Sequence, residues 1–314
     1  QVMEEGQSRW LSFIKDEVDL FALDGELTVQ ALQDGKLKPE LVKKGVQLSR
    51  ITDPSIDYHY WNMQNPIVGG LSKDKIALRR AMAMAFSADN YINILQKGDA
   101  QKLQAPIPSG VVGYDPNYRS SIPYSVKAAN LLLDRYHYKL AADGWRTQPN
   151  GKPLVIEMTL SGNNLRSQQQ AEFWKKTLDS IKIRMTTKSM PFAEALKLEK
   201  QCKTMFKASA WIADYPDADN FMQLFYGKNI KITNNGCVKI PEYDRLYEQA
   251  QKMTPSPERD AIYAKMSRLL EVYMPVQVIG ARYRNILAQP RVIGFKKHPI
   301  LPAEWMYIDI DLKK

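Results

Sequence analysis

Apolar residues Trp10, Leu11, Phe13, Ile14, Val18 and Leu20 recur at roughly helical spacing over 8–20, which predicts a helix running into a short strand. Residues 27–45 carry Val29, Leu32, Leu37 and Leu41, punctuated by Gly35 and Pro39, and predict short helices and turns. From 46 to 62 apolar and polar residues alternate on both sides of Asp53-Pro54, so two strands flank that turn. A long helical pattern over 73–96 has one unit at Ile76, Ala77, Ala81, Met84 and Ala85, and a second around Tyr91, Ile94 and Leu95. Residues 104–124, with Pro106, Pro108, Gly110, Gly113, Pro116 and Pro123, read as a loop. Ser125 then caps a helix through Tyr136.

The clearest unit lies at 153–187. An apolar strand (153–160), an amphipathic helix (168–181) with Phe173, Trp174, Leu178 and Ile181, and a second strand (183–187) predict a βαβ crossover. A helix at 192–200, a strand at 205–210, helices at 220–226, 242–253 and 257–273, and a strand at 276–279 follow. The tail, 283–310, reads as short strands with turns at Pro290, Gly294, Pro299 and Pro302. The pattern is that of an α/β protein, and 314 residues suit two domains.

Composition narrows the class. Hydrophobic residues make up 44% and charged residues 25%, which excludes a disordered chain. No apolar run approaches the roughly 18–20 residues of a membrane-spanning helix. The net charge of +10 invites nucleic acid, but the longest basic runs are pairs such as Lys43-Lys44, Arg79-Arg80 and Lys313-Lys314, so the charge is dispersed and no nucleic-acid partner is expected.

Candidate chemistry is sparse. His59, His137 and His298 have no metal-ligand spacing, and no nucleophile elbow, phosphate loop, dinucleotide fingerprint or His-Glu-x-x-His is present. Cys202 and Cys237 are either two free thiols or one disulfide, and composition does not decide between them. Asp214, Asp217 and Asp219 could hold a hard cation, but the spacing is not that of an EF-hand, and Asp217 is placed to cap the following helix. Asp214 differs. It follows the end of strand 205–210, where open α/β sheets commonly bind ligands, and Trp211 and Tyr215 flank it. A carboxylate between aromatic rings suits an ammonium group. In Tyr58-His59-Tyr60-Trp61-Asn62, Trp61 reads as core and Asn62 as either core or site.

Four stretches together resemble a known family. Tyr58–Asn62 with Pro66 leads into Leu78-Arg79-Arg80-Ala81, then Ala85 and Asp89, with Trp61 where Phe is usual and Asn90 where Arg is usual. Ala129–Leu133, Tyr138 and Asp143-Gly144-Trp145 form the second, with His137 in place of Gly. The βαβ unit at 151–187 is the third. Trp211 to Phe221 is the fourth, similar to Trp-x-x-Asp-Tyr-x-Asp-Pro-x-x-Phe with Ala218 in place of Pro. These resemble the family 5 extracellular solute-binding proteins, the peptide- and nickel-binding receptors of ABC importers.

The resemblance implies a type II-like periplasmic binding protein fold, with one complete α/β lobe and part of the other. Residues 1–70 would be a partial first lobe, 71–277 the second lobe, and 278–314 the return segment. It implies a non-enzymatic receptor, periplasmic or otherwise extracytoplasmic and membrane-associated, made with a signal peptide and delivering a peptide or related amine-bearing solute to ABC permease subunits, with no cofactor and no metal. In peptide-binding members the Asp of the fourth motif pairs with the peptide α-amino group. Here that residue is Asp214, with Trp211, Ile212, Ala213 and Tyr215 on the same wall and Asn62 as a further lining residue. Export implies a Cys202–Cys237 disulfide. Members that take haem, nickel chelates, opines or sugars share the fold, so the motif defines the class better than the cargo. A hydrolase with an undetected triad and an adhesin or chaperone are the other classes considered. The resemblance covers the C-terminal part of the family, and the chain opens Gln-Val-Met-Glu, so it reads as part of a longer precursor that binds solute weakly on its own.

Overall fold

The Asp53-Pro54 turn separates two strands that belong to one large sheet. The structure, a computed structural model, describes residues 5–23, 25–301 and 303–312; the Lys313-Lys314 pair and the turn expected at Pro302 lie outside the described residues. Strands β1 (Leu20–Leu23), β2 (Gln47–Thr52), β3 (Ser55–Trp61), β4 (Ala100–Lys102), β5 (Val155–Ser161), β6 (Arg184–Met190), β7 (Phe206–Ile212) and β8 (Val276–Ala288) form it. The order is β1-β8-β3-β7-β5-β6, with β2 and β4 also pairing with β8.

Strand β8 connects the two ends of this sheet. Its first half runs antiparallel to β3, with Val276 opposite Tyr60, and its second half runs antiparallel to β2 and β1. The register slips between Val278 and Gly280, where a Cβ on Gly280 would stand 2.7 Å from the carbonyl oxygen of Gln101. The sequence pattern divides this stretch into two strands, because Arg282, Arg284 and Asn285 interrupt the apolar run. In the fold those side chains are paired: Arg282 with Asp57, Arg284 with Asp53, and Asn285 with Asp99.

The βαβ unit forms as its periodicity predicts. β5 and β6 are parallel, joined by the helix Leu165–Ser180, whose start is capped by Asn164 Oδ1 accepting the Ser167 N–H at 2.9 Å. Ser125 likewise accepts the N–H of Ala128 at 3.1 Å at the head of Val126–Arg135. The pattern over 73–96 resolves into two helices, Lys73–Ala85 and Ala88–Leu95. Ser87 divides them, because its hydroxyl accepts the Asn90 N–H and starts a new helix.

Every residue of β3 is buried, and its alternation supplies two cores. His59 and Trp61 pack among Phe86, Trp174 and Phe206 on one face. Ile56, Tyr58 and Tyr60 join Phe221, Tyr243 and Tyr263 on the other, under the helices Pro241–Ala250 and Pro257–Tyr273. A third cluster gathers Trp10, Phe13, Phe21 and Leu27 with Leu287, so the start of the chain packs against the end of β8. β3 precedes residue 71, yet it is hydrogen-bonded along its whole length to β7.

Candidate functional site

The loop that leaves β7 is held on three sides. The Ala213 N–H donates to the carbonyl of Pro54 at 2.9 Å, tying the loop to the turn between β2 and β3. Val112 exchanges backbone bonds with it, its N–H donating to Pro216 and its carbonyl accepting from Ala218. Arg259 makes a two-pronged ion pair with Asp217, at 2.7 and 2.9 Å. Asp217 Oδ1 also accepts the N–H of Asp219, the first residue of the short helix Asp219–Met222; the N-cap of that helix is Ala218, so instead of the expected cap Asp217 makes a local turn and an ion pair that the sequence pattern did not suggest. Asp219 accepts the Tyr215 hydroxyl at 2.7 Å, and the three carboxylates of the motif therefore serve three separate partners. Burial, with that bond to Asp219, pushes the Tyr215 hydroxyl up to about 12, so it stays protonated.

Within this frame Asp214 is exposed and Trp211 is half-buried. Asn220, 0% exposed, reaches both. Its Oδ1 accepts the Trp211 indole N–H at 2.9 Å and the Asp214 backbone N–H at 3.2 Å, and its Nδ2 donates to Asp214 Oδ2 at 3.4 Å. Oδ1 of Asp214 has no hydrogen-bond partner among the described residues.

A cleft of about 630 Å³ opens along β3 and β7, with Trp211, Ser209, Tyr91, Arg166 and Phe192 among its walls. Asp214 follows Trp211 by three residues and is not itself part of that lining. Lys207 and Glu199 also line it, joined by a nearly buried ion pair at 2.7 Å that neutralises both charges. His59 lies at the same wall, but burial pushes its imidazole down to about 3, and the Trp174 indole N–H points at its ring at 3.3 Å. It is a neutral core histidine near neutral pH.

The other residues picked out from the sequence separate clearly. Ile212, the last residue of β7, and Tyr215, in the loop after it, are exposed; Ala213 is buried, with its N–H committed to Pro54. Asn62 belongs to the framework and not to the cleft lining. It is 1% exposed; its Nδ2 donates to the carbonyls of Cys202 and Thr204 at 2.6 and 2.7 Å, and its Oδ1 accepts the Gln64 N–H at 2.9 Å. Its amide has no donor left for a ligand. Cys202 and Cys237 are joined by a disulfide with Cα atoms 6.1 Å apart. The bridge ties the turn after the helix Phe192–Lys200 to the loop carrying Ile232, Thr233 and Asn235, which also borders the cleft. Sequence reading gave no role to Asn220 or Arg259. The only sign of Asn220 was a polar residue beside the apolar Phe221, six positions after Asp214.

A mixed sheet crossed by two connecting strands, with a ligand-sized cleft along β3 and β7, has the architecture of the type II periplasmic binding fold. The chain belongs to the bacterial extracellular solute-binding proteins of family 5, whose middle-region profile matches residues 1–232. Among curated proteins it is similar to di/tripeptide-binding protein 2 of Pseudomonas aeruginosa, 24% identical over 249 residues, covering 76% of this chain and 43% of that protein. Among solved structures it is similar to the periplasmic binding protein DppA of Helicobacter pylori in complex with the peptide STSA, with TM-score 0.79, 21% identity, and coverage of 99% of this chain and 56% of that one. It is also similar to NikZ of Campylobacter jejuni in complex with Ni(L-His), with TM-score 0.77, 15% identity, and coverage of 96% and 59%. The chain thus spans about half the length of the proteins it matches.

Proposed function

We propose that this chain forms the cleft-bearing part of the substrate-binding component of an ABC importer, and that its solute is a peptide or a related amine-bearing molecule. The observation that carries this reading is the pairing of an exposed carboxylate, Asp214, with a half-buried indole, Trp211, both anchored by a buried amide where β7 ends. One carboxylate oxygen is left for a ligand ammonium, and the aromatic ring beside it suits the same charge. The family is a substrate-binding class, and in this reading the solute leaves unchanged. The partners are the permease subunits, and the working compartment is the periplasm. We place the hinge between lobes at the Thr52–Ser55 turn and in β8 near Arg282, where the chain passes between the β1–β2 end of the sheet and the part that contains β3 and β7.

Native mass spectrometry of the protein expressed from its complete reading frame tests the reading. Masses of copurifying di- or tripeptides, displaced by excess synthetic dipeptide, support it. A copurifying nickel chelate, haem, opine or sugar, with no displacement by peptide, assigns a different cargo to the same fold.

A further inference from the structure

Asn220 satisfies a set of demands that no side chain of similar size meets. The two groups facing its Oδ1, the Trp211 indole N–H and the Asp214 backbone N–H, are donors only, so the amide oxygen must point at them. That orientation sends Nδ2 toward Asp214 Oδ2. Leucine would leave the half-buried Trp211 indole N–H without its protein acceptor, and aspartate would set a second carboxylate against Asp214. The helix that carries Asn220 is itself pinned by the Asp217–Arg259 ion pair and by Val112, so the amide is a fixed reference point.

We infer that Asn220 is a positioning residue for solute recognition: it holds the Trp211 ring and the Asp214 carboxylate in one relative orientation and directs the unbonded oxygen of Asp214 to the ligand amine. This rests on the reading of the site as an amine-binding one, but the clamp itself is tested without ligand.

The indole ¹⁵N–¹H resonance of Trp211, assigned by its loss in Trp211→Phe, reports the clamp in the 314-residue chain. In the wild type its solvent exchange is slow; Asn220→Ala speeds it about two- to tenfold, the range of one lost hydrogen bond. Asn220→Asp, which keeps an acceptor oxygen, restores slow exchange. The buried indoles of Trp61 and Trp174 serve as internal controls for folding. In the protein from the complete reading frame, both variants weaken binding of L-Ala-L-Phe about tenfold and leave N-acetyl-L-Ala-L-Phe unchanged. Wild-type exchange as fast as that of free indole overturns the inference without any variant. Unchanged exchange in a folded Asn220→Ala overturns it too, as does unchanged dipeptide affinity. If the wild type binds neither dipeptide, the amine-binding reading fails, and ligand positioning fails with it, while the exchange data still decide whether the clamp exists.

Discussion

Arg282 on β8 donates to Asp57 on β3 through two nitrogens, at 2.8 and 2.5 Å, across the point where the chain passes from one part of the sheet to the other. A second pair, Arg284 with Asp53 at 2.5 Å, lies two residues further along β8. The first pair joins β8 to β3, and the second joins β8 to the turn before β3. The Asp57 side chain is 9% exposed and that of Arg282 is 42% exposed, so the partners do not depend on each other equally.

Removing the arginine is therefore the costlier change. Arg282→Met leaves a nearly buried carboxylate with Gln96 as its remaining side-chain donor, and a loss of about 2–3 kcal/mol is expected. Asp57→Asn leaves a guanidinium that water can reach, and about 1 kcal/mol is expected. Urea unfolding of the two variants checks the order; equal losses would mean that the pair is held mainly by solvent-exposed contacts.

The disulfide closes a separation of 35 residues. Loop-entropy reasoning predicts a loss of roughly 3–4 kcal/mol for Cys202→Ala/Cys237→Ala. The comparison of urea midpoints with and without a thiol reductant measures the same quantity, and a wild-type protein insensitive to reductant would contradict it.

His59 makes stability sensitive to acid. Burial holds its folded imidazole near 3, below its ordinary 6.5, so below that ordinary value the unfolded chain binds a proton that the folded one does not. Its contribution is complete above pH 6.5 and falls away as the pH drops toward 3. Between pH 6.5 and 4.5 this amounts to about 2–3 kcal/mol. His59→Phe should flatten that part of the pH profile, at the cost of leaving the Trp174 indole unpaired. Identical pH profiles for the two proteins would show that His59 is not the responsible group.

Much of the fold was legible because period and punctuation agreed. Trp174, Leu178 and Ile181 marked the crossover helix, Asp53-Pro54 the turn before β3, and Trp61 the core. β8 was read as two pieces because its middle is polar, and that polarity is accounted for only by partners far away in the chain, Asp53, Asp57 and Asp99. Asp214 and Trp211 could be named from a local motif. Asn62 was misjudged because the carbonyls that absorb its amide belong to residues 202 and 204. Arg259 was invisible for the same reason, since its partner Asp217 lies 42 positions earlier, whereas Asn220 sits within the motif of Trp211 and Asp214 and was missed because spacing alone does not show which way its amide points.

The amine-recognition account rests most heavily on Asp214. In the protein from its complete reading frame, Asp214→Asn keeps the shape of the loop and removes one charge. Isothermal titration with L-Ala-L-Phe should show affinity reduced about tenfold to a hundredfold, the equivalent of losing a charge-assisted hydrogen bond, with N-acetyl-L-Ala-L-Phe affected little. Equal affinity of wild type and Asp214→Asn for the free-amine dipeptide would contradict the account.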